Sequence, residues 1–396
     1  MSEGGNSGGA RPADARAAEV LDAAAAAGTA RTLRAFEGAV TRRMHLDGRE
    51  VVMFSSGNYL DLAHHPQVAE AAARAAREQG CAAAGSRLIN GNLDCHEALE
   101  SELAAFFGTE AALVFGTGYM LNVGVIPALV GPGDVIVSDA LAHASLIDGA
   151  RLSRAEVVVV PHSDPGALET ALRAARDRAR HILVVADGVY SMDGDVAPVG
   201  DLVGLARRYD AMLLLDDPHG TGTLGPGGRG AAELGGVLGD VELLAGTLGK
   251  ALGSFGAFVA CSARVRALLV NTARSFIFSC ALAPPQIAAA RAALRLLGAE
   301  PWRREALQRN AGRLRARLAG KVNTGASTTQ IVPVILGDNA RTMAACEALL
   351  ARGFHAQGIR FPSVPRDTAR LRLTLMATHT DQEIDALADA VISLVA

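Results

Sequence analysis

The chain has 396 residues, of which half are hydrophobic, and its 38 basic and 41 acidic side chains give a formal net charge of −3. This length favours two domains over one or three, and the charge gives no reason to expect a nucleic-acid-binding surface. No apolar run approaches the roughly 18 residues that a membrane-spanning helix needs. Residues 1–16 are rich in Gly, Ala and Ser and lack the apolar core of a secretory signal, so we interpret them as a disordered leader.

The cysteines are odd in number and scattered, without a Cys-x-x-Cys pair. This spacing argues against a disulfide framework or a zinc site and fits a reducing cytoplasm. We therefore predict a cytoplasmic protein without a metal centre. The cysteines are Cys81, Cys95, Cys261, Cys280 and Cys346.

The first predicted elements are short. Residues 17–60 contain an Ala-rich helix, predicted over 17–27, and a hairpin that turns at Leu46-Asp47-Gly48. Pro66 opens a helix that we predict to end near Gln79, because proline is favoured in the first helical turn. An amphipathic helix is predicted over 96–107.

From residue 111 onward, short runs rich in Val, Ile and Leu alternate with helical stretches predicted near 119–130, 166–179 and 199–209. The runs lack polar alternation, which is typical of strands buried on both faces of a mostly parallel sheet. We therefore predict one large, doubly wound α/β domain over residues 61–290. The predicted strands are 111–115, 135–137, 157–160, 182–186, 212–215, 241–245 and 257–260.

Residues 291–396 are predicted to form a smaller α+β domain. A helix over 284–297 leads into it, and the Arg-rich face of a second helix, over 302–318, is interpreted as solvated rather than nucleic-acid-binding. The remaining predicted elements are strands at 331–335 and 371–375 and helices at 340–352 and 380–394.

Lys250 stands out because the chain contains only one other lysine, Lys321, in a polar stretch interpreted as a surface loop. Lys250 follows the apolar run 241–245 and is flanked by glycines, which places an amine at the carboxyl end of a buried strand. Ligand sites of open α/β sheets lie at this edge. Because burial lowers the pKa of a lysine and makes it a nucleophile, we interpret Lys250 as a Schiff-base former.

Other polar residues follow predicted strands. Asp216 comes directly after the run 212–215 and begins the segment Asp216-Asp217-Pro218-His219. A buried carboxylate is costly unless it is paired, and the alternative is that Asp216 only caps a turn. His143 follows the run 135–137, although a lone histidine is more often structural. The turn Gly116-Thr117-Gly118 opens a helix whose N-terminal amides suit a phosphate, although glycines also simply form turns.

One cofactor would account for all of these residues. It would bind Lys250 through an aldehyde, place a phosphate on the amides of Thr117–Tyr119 and need an acid beside a ring nitrogen. Pyridoxal phosphate fits this description, because a carboxylate that keeps the pyridine nitrogen protonated makes the ring an electron sink.

The chain also resembles the α-oxoamine synthase family of fold-type I pyridoxal-phosphate enzymes, from about residue 30 to the C-terminus. The resemblance rests on several motifs in combination. They are Gly85-Ser86-Arg87-Leu88, His143-Ala144-Ser145, Ser191-Met192-Asp193-Gly194-Asp195, Asp216-x-x-His219-x-x-Gly222, Thr247-x-x-Lys250 and the stretch from Val364-Pro365 to Arg370-Leu371-Arg372.

The resemblance implies a catalytic role for four side chains. Lys250 would carry the cofactor and move the α-proton of the amino acid. Asp216 would pair with the pyridinium nitrogen and His219 with the ring hydroxyl. His143 would stack on the ring and assist decarboxylation.

The resemblance also implies a set of binding residues. Ser279 would reach the cofactor phosphate from the second subunit of a homodimer, and Arg372 would bind the amino-acid carboxylate, a task that suits a bidentate guanidinium. The other cofactor contacts implied are those of Thr117, Gly118, Tyr119, Ser191 and Thr247. The other substrate contacts implied are those of Arg34, Asn58 and Ser86.

The reaction implied is a decarboxylating Claisen condensation of a small amino acid with an acyl thioester, carried on coenzyme A or a carrier protein. Ser86 and Gly358-Ile359-Arg360 favour L-alanine, with a pimeloyl chain and the biotin pathway. The alternative is a natural-product enzyme that uses glycine, serine or another amino acid with a different acyl chain. A third hypothesis is a binding protein that has the same fold but no cofactor. The combination of Lys250, Asp216 and His219 disfavours this hypothesis.

The chain departs from the family pattern near the expected substrate site. Gly57 replaces an asparagine, with Asn58 following it, and Asp61 replaces a glycine. The other departures are Pro218 for an alanine under the ring, Cys280 for a threonine of the phosphate site and Phe361 for a proline at the substrate entrance. Together they predict a changed acyl or amino-acid preference.

Overall fold

The computed structural model describes residues 11–395. Its first elements are α1 (Pro12–Ala26), β1 (Phe36–Glu37), β2 (Arg43–Leu46) and β3 (Arg49–Met53). The helix begins before the predicted residue 17, because Pro12 occupies its first turn and the Ala-rich composition favours helix from there. The prediction of a disordered leader is therefore wrong for residues 12–16. Residues 1–10 lie outside the part of the chain that the structure describes.

The predicted hairpin is confirmed. β2 and β3 pair antiparallel, with Leu46 opposite Arg49. Asp47 and Gly48 between them both have positive φ, 52° and 72°, as a two-residue type I′ turn requires. Two helices follow, α2 (Pro66–Gln79), which has the predicted bounds, and α3 (Asp94–Phe107).

A seven-stranded sheet forms the centre of the molecule, with the strand order β4-β10-β9-β8-β7-β5-β6. It is parallel except for β10, which runs antiparallel to both neighbours, so the mostly parallel doubly wound sheet is confirmed. Its strands are β4 (Ala111–Phe115), β5 (Val135–Asp139), β6 (Glu156–Val160), β7 (Ile182–Asp187), β8 (Met212–Asp216), β9 (Leu243–Thr247) and β10 (Ala257–Cys261).

Helices cover both faces of this sheet, because alternate side chains of each strand point to opposite faces. Leu183 and Val185 of β7 belong to one hydrophobic core, and Val184 and Ala186 to the other. The helices between these strands are α4 (Gly118–Leu129), α5 (Ala144–Ser153), α6 (Pro165–Arg176), α7 (Val199–Arg208) and α8 (Ala231–Leu234), and α9 (Ala263–Thr272) and α10 (Arg274–Ile277) follow the last of them.

The C-terminal part begins with α11 (Pro284–Ala299) and α12 (Trp302–Leu318), continues through β11 (Ile331–Gly337), α13 (Asn339–Ala351), β12 (Phe354–His355), β13 (Gln357–Ile359) and β14 (Ala369–Thr374), and ends with α14 (Asp381–Val395). β14 lies between β11 and β13 in an antiparallel sheet, while β12 pairs with β3. The arginine face of α12 is not simply solvated, because Arg313 pairs with Asp381 and Asp385 of α14.

Among the helices of residues 11–395, none combines the length and apolarity that crossing a bilayer requires.

Candidate active site

Several of the predicted site residues lie at the carboxyl ends of the parallel strands, along one edge of the sheet. β8 pairs in parallel with β7 and β9, so that Asp216 lies opposite Asp187 on one side and Ala245 on the other. β9 ends at Thr247 rather than at the predicted residue 245. Lys250 therefore lies three residues beyond a strand end, beside Asp216.

A tight turn holds Lys250. The amide of Gly253 donates to the Lys250 carbonyl over 2.9 Å, and a Cβ at Gly253, where φ is 57°, would lie 2.4 Å from the Ala63 nitrogen. Only glycine fits there, because both the conformation and the space exclude a side chain. Burial lowers the pKa of the Lys250 amine to about 8, although the nearby Asp216 carboxylate opposes this shift.

His219 connects Lys250 to a buried tyrosine. Its Nε2 lies 3.0 Å from Lys250 Nζ, and its Nδ1 lies 2.7 Å from the Tyr59 hydroxyl. Burial and the Lys250 charge hold the pKa of His219 well below its usual value. A neutral imidazole carries one proton. If the Lys250 ammonium donates to Nε2, that proton lies on Nδ1 and is donated to Tyr59.

Asp216 is buried, and its Oδ2 accepts from Asn122 Nδ2 over 2.7 Å. The same amide nitrogen lies 2.9 Å from Ser145 Oγ, which lies 2.7 Å from His143 Nδ1. Burial raises the pKa of Asp216, while Asn122 and the charges of Lys250 and His143 act in the opposite direction. A cation placed against this carboxylate would stabilise its ionised form.

His143 is the N-terminal cap of α5, and its backbone amide donates to Asp187 Oδ2 over 2.9 Å. Burial lowers the pKa of the His143 ring. Burial and the neighbouring Asp216 raise the pKa of Asp187 well above its usual value. Two buried carboxyl groups thus face each other across β7 and β8, and their like charges disfavour ionisation of both.

Asp217 shapes the loop that carries His219. Its carboxylate accepts from the amides of Gly220 and Ala231 over 2.8 and 2.6 Å. Burial raises its pKa to about 6 against these hydrogen bonds. The adjacent Asp216 and Asp217 therefore have different surroundings, because Asp217 is enclosed by backbone amides while Asp216 faces Lys250 and Asn122.

The amino end of α4 supplies the candidate phosphate site. Thr117 caps this helix through its side chain, which accepts from the Met120 amide over 3.1 Å, and Gly118 and Tyr119 form the first turn. Thr247 Oγ1 donates to the Gly256 carbonyl over 3.0 Å. A helix N-terminus with free amides attracts phosphate.

Ser279 lines a small cavity of about 20 Å³ together with Gly116 and Met120 of its own chain. Its predicted contribution to the site of a second subunit stays a prediction. Cys280, the departure next to it, is exposed.

Arg372 lies on β14, close to Lys250 and His219. Its Nε donates to the Ser191 carbonyl, and its charge lowers the pKa values of both Lys250 and His219. Ser191 thus contributes its backbone to the placement of Arg372, while the predicted cofactor contact of its side chain stays a prediction.

The other predicted substrate residues make different contacts. Asn58 is buried, with its amide nitrogen on the Val40 carbonyl and Asp61 Oδ1 and its oxygen on two backbone amides. Asn58 therefore braces the loop rather than presenting a free amide to a substrate, and Asp61, which departs from the family pattern, is its partner. Ser86 forms an isolated bridge with Cys280.

Arg34 pairs with Glu347 and lines a cavity of about 490 Å³ with Arg31, Arg360 and His355. Gln357, which also lines this cavity, lies opposite Arg372 in the pairing of β13 with β14. Phe361 stacks under the guanidinium of Arg366 at 4.1 Å.

Gly57 is the departure nearest to Lys250. A Cβ there would lie 3.4 Å from Lys250 Cγ, an ordinary van der Waals distance. A side chain at this position would therefore reach the amine, and its absence widens the space around Lys250.

The groups at this sheet edge fit pyridoxal phosphate. The amine has a lowered pKa, and a buried carboxylate stands beside it. Asn122 Oδ1 is a buried atom without a hydrogen-bond partner among the described residues, so the pocket is incomplete in its polar contacts. No cluster of three metal-ligating side chains occurs within residues 11–395.

The family model for aminotransferase class I and II matches residues 49–391. The chain belongs to the aminotransferase class I and II family. It is 51% identical over 362 residues to an 8-amino-7-oxononanoate synthase of Geobacter sulfurreducens, with 90% of this chain and 92% of that protein covered. Relatives of this kind place it among the α-oxoamine synthases of the family.

Solved structures show the same fold. The serine palmitoyltransferase of Sphingomonas wittichii superposes with a TM-score of 0.89 at 33% identity, covering 96% of both chains. A variant of the serine palmitoyltransferase of S. paucimobilis, described with a bound PLP-myriocin aldimine, superposes with a TM-score of 0.89 at 31% identity, again covering 96% of both chains. PLP is pyridoxal 5′-phosphate.

Sequence reasoning missed Tyr59, Asn122 and Gln330. Gln330 Nε2 donates to the His219 carbonyl over 2.8 Å, and the other two contact His219 and Asp216. A polar residue inside an apolar helix could have revealed Asn122, since it interrupts the run from Met120 to Pro127. Tyr59 and Gln330 lie in irregular segments without such a signal.

Proposed function

We propose that this chain is a pyridoxal-phosphate-dependent α-oxoamine synthase that condenses L-alanine with a pimeloyl thioester, on coenzyme A or a carrier protein. The products would be 8-amino-7-oxononanoate, CO2 and the free thiol. The arrangement of Lys250, His219, Asp216 and Arg372 around one point carries the proposal, and the printed name of the 51% identical relative supports the choice of product.

When bound, the cofactor ring supplies an electron sink for the α-carbon of the amino acid. Lys250 would hold the cofactor aldehyde through Nζ and, once displaced by the amino acid, take the α-proton. An amine with a pKa of about 8 suits this task, because a general base is most effective when its pKa lies near the operating pH.

The neighbouring residues would orient the reactants. Asp216 would hold a proton on the ring nitrogen, because its buried carboxylate gains from a nearby cation. The Arg372 guanidinium would bind the carboxylate of alanine. The amides at the start of α4 would hold the phosphate.

The 490 Å³ cavity supports an acyl chain with an anionic end. Arg31, Arg34 and Arg360 line it, with Glu347 as the acidic partner of Arg34. A guanidinium binds a carboxylate through two parallel hydrogen bonds, so this cavity suits the terminal carboxylate of a pimeloyl chain better than a long uncharged one.

A thiol-release screen tests the proposal. Alanine, glycine and serine are each combined with pimeloyl, succinyl and palmitoyl thioesters, and the product masses are recorded. We expect free thiol and the mass of 8-amino-7-oxononanoate only with alanine and the pimeloyl thioester. Turnover with serine and the palmitoyl thioester would instead support the reaction named for the structural neighbours, and no turnover with any pair would refute the proposal.

The Lys250 pKa gives a pH prediction. The folded value of about 8 lies below the roughly 10.4 of an unfolded lysine, so the amine becomes a neutral nucleophile at lower pH than usual. We expect the rate at which the cofactor-free chain binds the cofactor to rise with pH, with a midpoint near pH 8. The visible absorbance of the bound cofactor measures this rate. Between these two pKa values the unfolded chain binds more protons, so stability should rise with pH across that window.

Lys321→Ala provides the control for this pH profile, because Lys321 is exposed and far from the glycine turn of Lys250 in sequence. Its midpoint should equal that of the unsubstituted chain. A midpoint above about pH 10, the ordinary lysine range, would contradict the burial of the Lys250 amine.

We further propose a homodimer with active sites at the interface, in a reducing cytoplasm. Exposed apolar side chains near Ser279 support the interface, since Ile89 is 83% and Phe278 70% exposed, and such patches mark interaction surfaces. An isolated β-bridge between Ser86 and Cys280 brings the segments that carry Ile89 and Phe278 together.

Ile89→Glu should convert the dimer to a monomer, because it places a charge in the proposed apolar interface. Light scattering after size exclusion measures the mass. Val159→Glu is the matched control. Val159 is also exposed, at 63%, and lies on β6, the strand at one edge of the seven-stranded sheet. A dimer that persists in Ile89→Glu, or one that Val159→Glu also breaks, would contradict this interface.

A further inference from the structure

His162 lies just beyond β6, between two carboxylates. Its Nδ1 is 3.0 Å from Asp139 Oδ1, and its Nε2 is 2.9 Å from Asp195 Oδ2. A carboxylate oxygen accepts and an imidazole donates at both nitrogens only when it is protonated. The ring is therefore an imidazolium that joins the end of β5 to the loop after β7.

The surroundings favour this charge. Burial lowers the pKa of His162, but the hydrogen bonds and charges of Asp139 and Asp195 outweigh it and raise the pKa to about 10. The side chains of Asp139 and Asp195 are only 8% and 14% exposed, so water screens the contacts little. The Tyr190 ring packs edge-on against the imidazole, with 4.3 Å between centroids.

Asp195 ends the turn Ser191–Asp195, whose other side contacts the C-terminal strands. The Gly194 carbonyl accepts from the amides of Thr328 and Thr329 over 3.1 and 3.2 Å. Gly194 has a φ of 73°, and a Cβ there would lie 2.0 Å from the Ile331 carbonyl oxygen. The turn is therefore held between His162 at Asp195 and the segment that leads into β11 at Gly194.

Two arginines of β14 dock on the same turn. Arg370 pairs with Asp193 and donates to the Met192 carbonyl, and Arg372 donates to the Ser191 carbonyl. The position of the Ser191 carbonyl thus sets the orientation of the Arg372 guanidinium. Among the described residues, His162 is the one cation that pairs with Asp195.

We propose that His162 is a positioning residue of the active site, whose imidazolium fixes the Ser191–Asp195 turn and, through the Ser191 carbonyl, the guanidinium of Arg372. This inference rests on the proposed function, in which Arg372 binds the amino-acid carboxylate. His162 does not itself touch the substrate. Its effect should therefore appear in the binding of the carboxylate and not in the binding of the amine.

The experiment compares alanine with ethylamine, which carries the amine and methyl group but no carboxylate. The dissociation constant of each compound is measured on the cofactor-loaded enzyme by the change in visible absorbance. The ethylamine constant divided by the alanine constant is the ratio that isolates the carboxylate contact. Glutamine is uncharged and carries its donor hydrogens on a single nitrogen, so it cannot replace an imidazolium that donates from both sides of its ring. In His162→Gln we therefore expect this ratio to fall about 10-fold, because small misplacements of a binding group have effects of this size or larger. The ethylamine constant and the KM of the thioester should not change.

Two further variants complete the test. Asp195→Asn removes the charge at the end of the turn while keeping its shape, should shift the ratio in the same direction, and carries the test if His162→Gln fails to fold. His181→Gln is the matched control, since His181 is an exposed histidine at the opposite end of β7. Its ratio should equal that of the unsubstituted enzyme.

The outcomes separate the two proposals. If the unsubstituted enzyme binds alanine no better than ethylamine, or Arg372→Ala leaves the ratio unchanged, the role of Arg372 in the proposed function is wrong. If the ratio is large, depends on Arg372 and does not change in His162→Gln and Asp195→Asn, the positioning role of His162 is wrong. A lower melting temperature with an unchanged ratio would show a purely structural histidine.

Discussion

Lys250→Ala should lose at least about 10³-fold in turnover, because Lys250 would both hold the cofactor and move the α-proton, and proton transfer by a positioned side chain alone contributes about 10² to 10⁴. The fold should persist. The substitution removes an amine whose burial disfavours its charged form, so the melting temperature of the cofactor-free chain should fall by no more than about 3 °C. Single-turnover product formation and thermal melting measure the two effects.

The second lysine makes the control unusually direct. Lys321→Ala removes the other lysine of the chain, an exposed one, and should change neither turnover nor the visible absorbance. Borohydride reduction followed by peptide mass analysis should place the cofactor on Lys250 alone. Turnover retained in Lys250→Ala, or a label on Lys321, would refute the role of Lys250.

The sequence predicted the sheet well because its strands are buried on both faces. The strand Ile182–Asp187, whose residues are all buried, has the short apolar run without polar alternation that is typical of a central strand. The end of β9 was placed too early, because Gly246 and Thr247 carry no apolar signal and their strand conformation depends on pairing with β10. Strands of two or three residues, such as β12 and β13, exist only through tertiary pairing and were not predicted.

The candidate site was predictable where a residue stands at the end of a strand. Asp216, His143 and Lys250 were predicted to lie together in this way, because parallel strands bring their carboxyl ends to one edge. The structure brings them together, while their roles stay predictions. The contacts that orient them were not predicted. Asn122 approaches Asp216 from a helix 94 positions earlier in the chain, and sequence spacing contains no information on that contact.

Asn58 shows what a sequence motif leaves open. The family resemblance implied a substrate contact for Asn58, whereas its side chain makes hydrogen bonds with Val40, Asp61 and two backbone amides. A polar residue next to a site is often needed to hold a loop whose backbone groups would otherwise lack partners. Only the hydrogen-bond partners distinguish the two roles.

Asp216→Asn should separate activity from stability. Activity should fall by at least about 10², the range seen when one preorganised electrostatic contact is removed, because a neutral amide would not keep a proton on the ring nitrogen. The cofactor-free chain should be as stable as before or more stable, since burial raises the pKa of Asp216 and the ionised carboxylate is costly to enclose.

The partner of Asp216 makes this second expectation specific. Asn122 donates to Asp216 Oδ2 through Nδ2, while Asn122 Oδ1 has no partner among the described residues. An asparagine at 216 can accept the same hydrogen bond and donate its own amide to Asn122 Oδ1, which would satisfy a buried acceptor. Thermal melting without cofactor measures this gain.

The exchange of the α-proton of alanine with deuterated solvent, followed by NMR, measures the chemical defect without the thioester. It should slow in Asp216→Asn by about the same factor as turnover, if the acid acts on the α-carbon step. Asp217→Asn is the matched comparison, because Asp217 is buried next to Asp216 but is enclosed by the amides of Gly220 and Ala231. It should lower stability, since an asparagine can accept only one of those hydrogen bonds without turning its amide hydrogens toward a donor. An unchanged exchange rate in Asp216→Asn would mean that this carboxylate does not set the protonation of the ring, and a loss of stability as large as that in Asp217→Asn would mean that Asp216 is held for the fold.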